Sequence, residues 1–174
     1  DENLARVVDG KAHFVSNHQV EVVSPDGLRQ TIESERIFIN TGSKALIPEI
    51  EGLKESKQLM TSTEIMDLDA LPEHLVIIGS GYLGLEFASM MKKYGSSVTV
   101  LDHSDQFLAR EDEDFSARIK KDLEKDGIVF RLGVNVNQIN DEGNQTRIHF
   151  INEKGRDETI IADKILVATG RKAN

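Results

Sequence analysis

The stretch that most limits what this chain can become is Leu75-Val76-Ile77-Ile78-Gly79-Ser80-Gly81-Tyr82-Leu83-Gly84, an apolar run that meets three glycines spaced G-x-G-x-x-G. Four consecutive apolar residues, several of them β-branched, suit a parallel strand covered on both faces. Beyond the glycines, Leu83, Phe87, Met90, Met91 and Tyr94 recur at the spacing of one helix face, and Gly95 supplies a stop. The pattern predicts strand, tight turn and helix. Gly79 allows the sharp reversal, Gly81 lets backbone approach a pyrophosphate with no Cβ in the way, and Gly84 lets helix and strand pack closely. Anions are favoured at such a helix start, where unpaired N–H groups and the positive end of the helix dipole coincide. The bland alternative is a βαβ unit with a glycine-rich turn and no ligand.

A second strand, Ser97-Val98-Thr99-Val100-Leu101, ends on Asp102, which stands 102 − 84 = 18 residues beyond Gly84. That is close to the roughly 20 residues expected for an acid that accepts a hydrogen bond from a ribose 2′-hydroxyl. Asp102 and its neighbour His103 are therefore the candidate ribose-side residues.

Composition narrows the class. With 174 residues, 39% hydrophobic and 29% charged, the chain has the make-up of a soluble globular protein of one ample domain, or one domain and part of another. The net charge of −9 counts against nucleic acid or an anionic membrane face as partner. There is no cysteine, so disulfides, thiolate metal sites and cysteine redox chemistry are excluded within this piece. No run approaches the ~18 apolar residues of a membrane helix, and no signal-peptide pattern opens the chain. A cytoplasmic setting is the expectation, and a start without methionine reads as an excised segment. The histidines at 13, 18, 74, 103 and 149 show no metal-ligand spacing.

Taken in order, residues 10–15, 19–23 and 30–33 alternate as strands do, with Ser16-Asn17 and Ser24-Pro25-Asp26-Gly27 as turns. A meander this small has to pack on something else. Residues 35–43 predict a further short strand ending at Gly42, and Pro48 and Gly52 mark an irregular crossover. A short helix is expected between Thr61 and Leu71, capped by Ser62 or Thr63 and stopped by Pro72. After the βαβ unit, the acidic run Arg110-Glu111-Asp112-Glu113-Asp114 reads as the solvated start of a helix with Phe115, Ile119 and Leu123 as its apolar face. A strand at 128–132, a second meander through residues 134–161 and a buried strand Lys164-Ile165-Leu166-Val167-Ala168 complete the chain. The strand followed by Thr-Gly occurs twice, at 37–42 and 165–170, which suggests two related halves that each return to a nucleotide.

Together, Ile39-Asn40-Thr41-Gly42-Ser43, Thr61-Ser62-Thr63-Glu64, the segment Gly79 to Ala88 and Val167-Ala168-Thr169-Gly170-Arg171 resemble the pyridine nucleotide-disulfide oxidoreductases, a family that includes dihydrolipoamide dehydrogenase, glutathione reductase and mercuric reductase. The resemblance covers nearly the whole chain, with four motifs in order. It implies an α/β fold: a Rossmann-like NAD(P)-binding domain with a parallel sheet, helices and a β-meander in three layers, preceded by a β-meander segment of the FAD domain. Residues 1–48 would be the C-terminal part of the first FAD-domain section and 49–174 the NAD(P)-binding domain. A second glycine motif, the redox cysteine pair, a C-terminal His-Glu pair and a dimerisation domain would lie elsewhere, with a homodimer as the full-length form. This segment alone would be inactive.

Residue by residue, the resemblance gives Gly79, Ser80, Gly81, Leu83 and Gly84 to the pyrophosphate loop. It matches Tyr82 to a tyrosine that covers the flavin until nicotinamide displaces it, and Glu86 to a carboxylate near the nicotinamide–flavin contact. The plain alternatives are an exposed aromatic and a first-turn acid on the helix dipole. Val136 matches an adenine contact, Gly170 a nicotinamide-side contact, Thr41 and Gly42 a crossover touching FAD, and Arg171 the return toward FAD.

Asp102 decides cofactor choice. A carboxylate beside a 2′-phosphate would cost up to about 4 kcal/mol at 4 Å and an effective dielectric of 20. A third of that is about tenfold in affinity. Only Arg110 is near in sequence, so NADH is expected over NADPH, with hydride passing to FAD and on to a disulfide or similar acceptor. A non-catalytic NAD-sensing or scaffold domain is the alternative from another class. An ordinary Rossmann dehydrogenase fits less well, because meanders stand where helices would be.

Overall fold

The structure is a computed structural model that describes residues 5–174. The chain divides into two compact units, Asp1–Thr41 and Gly42–Asn174.

In the first unit, β1 (Lys11–Ser16), β2 (Gln19–Val23) and β3 (Arg29–Glu33) form an antiparallel sheet in that order, as the alternation predicts. The register sets Ala12, Val22 and Gln30 in one row and Phe14, Val20 and Ile32 in another on the same face. The opposite face is polar: Glu21 accepts a 2.8 Å bond from Arg29 and lies 3.3 Å from His13. Only Val22 is buried among these strands, and Phe14 keeps half its surface open.

The strand expected over residues 35–43 does not form. Phe38 and Ile39 stand exposed, and strand structure begins only with β4 (Ser43–Ala45). A strand exists through the hydrogen bonds of its neighbours, and among the described residues 35–40 have no ladder partner. The matching stretch later in the chain, by contrast, is paired on both sides.

The second unit is built on a parallel sheet in the order β5 (Leu59–Met60), β12 (Lys164–Val167), β6 (His74–Ile78), β7 (Ser97–Leu101), β8 (Val129–Arg131). Successive residues of β6 serve opposite faces. Leu75 and Ile77 pack with Phe87, Ala88 and Met91 of α1 (Tyr82–Tyr94), while Val76 and Ile78 pack with Ile139, Ile148 and Phe150 of an antiparallel meander. That meander is β9 (Asn135–Glu142), β10 (Gln145–Ile151) and β11 (Asp157–Ala162). The sheet is thus sandwiched between helix and meander, which explains why its strands are apolar without alternation. The turn between β9 and β10 is the pair Gly143-Asn144.

Three helical expectations are corrected. The segment after β5 is a single 3-10 turn, Glu64–Asp67, and neither Ser62 nor Thr63 caps it by side chain. Instead Thr61, one residue before Ser62, donates its N–H and hydroxyl to the Glu64 carboxylate at 2.8 and 2.5 Å, and the turn ends at Leu68. On α1, Phe87 and Met91 are buried as expected but Tyr94 is exposed, because the helix sits closest where Gly84 and Ala88 present the least bulk. On α2 (Glu113–Lys125), Ser116 is buried and Phe115 exposed, while Ile119 and Leu123 are half-buried. Gly95 ends α1 as expected, in a left-handed conformation, with its N–H on the Lys92 carbonyl.

Candidate functional site

From β6 the chain proceeds to β7 and β8 on one side, and β12 later returns on the other. The direction of winding reverses between β6 and β12, and a crevice outside the carboxyl ends of such strands is where open α/β sheets take ligands. A cavity of about 260 Å³ lies here, lined by Ile50, Gly79, Asp102, His103, Val136 and Thr169 among others.

The three glycines differ in what surrounds them. Gly79 has φ +109°, donates its N–H to Leu101 at 2.8 Å, and would set a Cβ 2.6 Å from the Ala168 carbonyl oxygen. A Cβ on Gly84 would lie 2.2 Å from the carbonyl oxygen of Gly79. Around Gly81, in contrast, a Cβ would meet nothing within 4 Å. Two of the glycines are demanded by the protein's own packing, and the third borders open space.

Gly81 occupies the N-cap position of α1 with no side-chain capping bond, and the helix ladder begins with the Leu85 N–H on the Gly81 carbonyl. The N–H groups of Tyr82, Leu83 and Gly84 are therefore the free donors of the first turn. The turn before it is less bare, since the N–H groups of Gly79 and Ser80 both have protein acceptors.

Asp102 is tightly held. Its Oδ2 accepts from both the N–H and the hydroxyl of Ser80, each at 2.6 Å, and its Oδ1 accepts from the Ser104 N–H at 2.9 Å. His103, almost wholly exposed, brings Nδ1 to 3.3 Å from the same Oδ1. Both Ser80 bonds are shorter than is usual for their donor types. No lysine or arginine forms an ion pair with Asp102 among the described residues. Val136, half-buried on β9, forms part of the crevice wall, and Leu83 turns its side chain into the helix-side core, so only its backbone belongs to the site.

A family model described as pyridine nucleotide-disulphide oxidoreductase matches residues 1–174. The chain belongs to this family. RclA of Escherichia coli (strain K12) is 38% identical over 166 residues, which are 95% of this chain and 36% of RclA. The mercuric reductase of Lysinibacillus sphaericus is 33% identical over 174 residues, covering 31% of that protein. The solved HOCl-induced flavoprotein disulfide reductase RclA from Escherichia coli superposes with a TM-score of 0.83 at 37% identity, over 97% of this chain and 37% of that one. The chain spans about a third of the length of these relatives. Pyridine nucleotide-disulfide oxidoreductases use FAD and NAD(P)H.

The remaining family-matched residues fall in two other places. Tyr82 and Glu86 lie one turn apart on α1 and line an open cleft of about 590 Å³ with Leu108, Ile119 and Leu123. The Tyr82 phenol donates to the Glu111 carboxylate, and that bond, assisted by burial and the negative charge of Glu111, holds the phenol above its ordinary pKa of about 10. Glu111, read from sequence as part of a solvated acidic run, is thereby a partner of Tyr82, 29 positions away. No local signal marks such a pair.

Gly42, with φ +73°, opens the second unit just before β4, and β4 pairs antiparallel with β13 (Arg171–Ala173). Arg171 clasps this ribbon: Nε donates to Ser43 Oγ at 2.8 Å, Nη2 to the Ser43 carbonyl at 2.6 Å and Nη1 to Ser62 Oγ at 3.1 Å. Gly170, at φ +127°, accepts from the Leu46 N–H at 3.0 Å, and Thr169 donates its hydroxyl to the Leu46 carbonyl at 2.8 Å. Thr41 belongs to the first unit. Ile50 reaches the crevice through the crossover and Thr169 because β12 ends beside β6, and sequence spacing marks neither as a site residue. Among the described residues no group of three or more His, Cys, Asp or Glu stands close enough to hold a metal ion, and no helix is long and apolar enough to cross a membrane.

Proposed function

We propose that this chain is the nucleotide-binding part of an FAD-dependent oxidoreductase that takes NADH in preference to NADPH. The observation that carries the reading is the open first turn of α1 beside the crevice, with Gly81 bordering space that a Cβ would narrow. The N–H groups of Tyr82, Leu83 and Gly84 would bind the pyrophosphate, as a helix N-terminus favours. Asp102 would take the adenosine ribose and Val136 the adenine, with His103 at the solvent edge. Glu86 and Tyr82 would border the nicotinamide end. The chemistry supplied by the bound cofactors is hydride transfer from NADH to FAD, followed by reduction of a disulfide or similar acceptor. Residues 1–48 read as the end of the first FAD-domain section and 49–174 as the NAD(P)-binding domain. The side-by-side β4 and β13 support an inserted domain, since an inserted domain's two ends meet at one neck. The remaining FAD and dimerisation domains are the expected partners, in a cytoplasmic homodimer.

The test is titration of the FAD-loaded full-length protein with NADH and NADPH, following flavin reduction. Tighter NADH binding is expected, with Asp102→Ala weakening NADH about tenfold. Tighter NADPH binding, or no effect of Asp102→Ala, would overturn the preference.

A further inference from the structure

We propose that Ser80 is a positioning residue that sets nucleotide choice by aiming Asp102, a role that rests on the NADH reading above. Ser80 is the central residue between Gly79 and Gly81, a position where the glycine motif itself demands no particular side chain. Here it is 4% exposed, and both of its donors converge on one oxygen, Oδ2 of Asp102, at 2.6 Å. A carboxylate offers about four acceptor positions. Ser80 fills two on Oδ2 and the Ser104 N–H a third on Oδ1, at 2.9 Å.

By that count one acceptor position is left, on Oδ1, the oxygen that the exposed His103 approaches at 3.3 Å, and Asp102 itself lines the cavity. A ribose 2′-hydroxyl has one proton to donate there. A 2′-phosphate has none to offer in its fully ionised form and meets a carboxylate that cannot swing away, because its other oxygen is bound twice to the turn. Removing the Ser80 hydroxyl leaves a single amide bond on Oδ2. The carboxylate then gains rotational freedom, loses its aim at the 2′-hydroxyl and can retreat from a 2′-phosphate. A serine that merely braced the turn would affect both nucleotides alike, since they share the pyrophosphate.

The experiment uses the FAD-loaded full-length protein and its Ser80→Ala and Ser80→Gly variants, both lacking the hydroxyl. Steady-state KM and kcat are measured with NADH and NADPH, and competitive inhibition with ADP-ribose and its 2′-phosphate. The expected result is a KM for NADH raised several-fold, kcat within about twofold, and an NADH-over-NADPH preference reduced about three- to tenfold, mirrored by the two inhibitors. If the unsubstituted protein prefers NADH and both variants keep its preference ratio within twofold, the role assigned to Ser80 is wrong while the NADH reading stands. If the unsubstituted protein prefers NADPH, the NADH reading itself fails, and this role with it.

Discussion

Gly84 stands against Gly79 so closely that a Cβ on the first would lie 2.2 Å from the carbonyl oxygen of the second. The contact is backbone on both sides, so no flexible side chain can yield. Gly84→Ala should force α1 away from the end of β6 and destabilise the fold by roughly 1–3 kcal/mol, as overpacking does. Gly81→Ala is the informative contrast. Gly81 has φ −70° and ψ 174°, which any residue adopts, and open space around its missing Cβ. Its substitution should leave the thermal midpoint almost unchanged while weakening NADH binding. Paired melting curves and NADH titrations check both outcomes, and a Gly81→Ala protein that binds NADH normally would remove the pyrophosphate from this turn.

The bond from Tyr82 to Glu111 has an optical consequence. A carboxylate that accepts the phenolic hydrogen favours the neutral phenol, so its removal lowers the phenol's pKa. The chain has two tyrosines, Tyr82 and Tyr94, which makes alkaline titration at the phenolate absorption band readable. Glu111→Gln should bring one midpoint down toward about 10, and Tyr82→Phe should delete that same midpoint. Unchanged titration in Glu111→Gln would show that the pair is not formed in solution.

What could be read from sequence follows the range of the interactions. Leu75 to Ile78 announce a doubly covered strand because burial on both faces leaves no polar alternation, and the glycines after them encode their turn locally. The strand expected around Phe38 and Ile39 failed because strand structure is a property of neighbours, which those residues lack among the described chain. Tyr94 and Phe115 fit the helical period but not the packing. Period alone cannot show that Gly84 and Ala88 set the closest approach of α1, nor that α2 buries Ser116 in place of Phe115. Asp102 was found by its distance from the glycines, yet its bonds to Ser80 span 22 residues and exist only once β6 and β7 lie side by side.

Acid should loosen the fold at the junction between parallel sheet and meander. Asp163 accepts from the Gln145 side chain at 2.9 Å and from the His74 N–H at 2.7 Å, and these bonds, the first foremost, hold its pKa below the usual carboxylate value despite partial burial. Burial pushes the Asp141 carboxyl up, but bonds from Ser56 at 2.6 Å and the Lys57 N–H at 2.7 Å outweigh it, and the net shift is also downward. A carboxylate with a depressed folded pKa contributes stability that is present above its unfolded pKa of about 3.9 and is lost as pH falls through the folded value. Asp163→Ala should therefore cost about 1–2 kcal/mol at pH 7, and the difference from the unsubstituted protein should shrink below about pH 4. Urea unfolding at pH 7 and pH 3 measures it, and a gap that stays constant across that range would contradict the assignment.

Arg171 offers a test of the neck formed by β4 and β13. Its three donors reach Ser43 twice and Ser62 once, so one side chain ties the first residues of the second unit to its last strand and to the segment before the 3-10 turn. The ribbon is only three residues on each side, and all of β13 is exposed, so little apolar burial supports it. A two-stranded ribbon of this size is marginal without such a brace. Arg171→Ala should leave global stability nearly intact, because the side chain's bonds go only to exposed Ser43 and to Ser62, yet amide exchange at Ser43, Lys44 and Ala45 should accelerate about tenfold or more. Arg171→Lys should not restore protection, since a single ammonium cannot reproduce the planar fork that engages Ser43 and Ser62 together. Exchange rates in Arg171→Ala that match those of the unsubstituted protein would mean the ladder between β4 and β13 holds itself without the guanidinium.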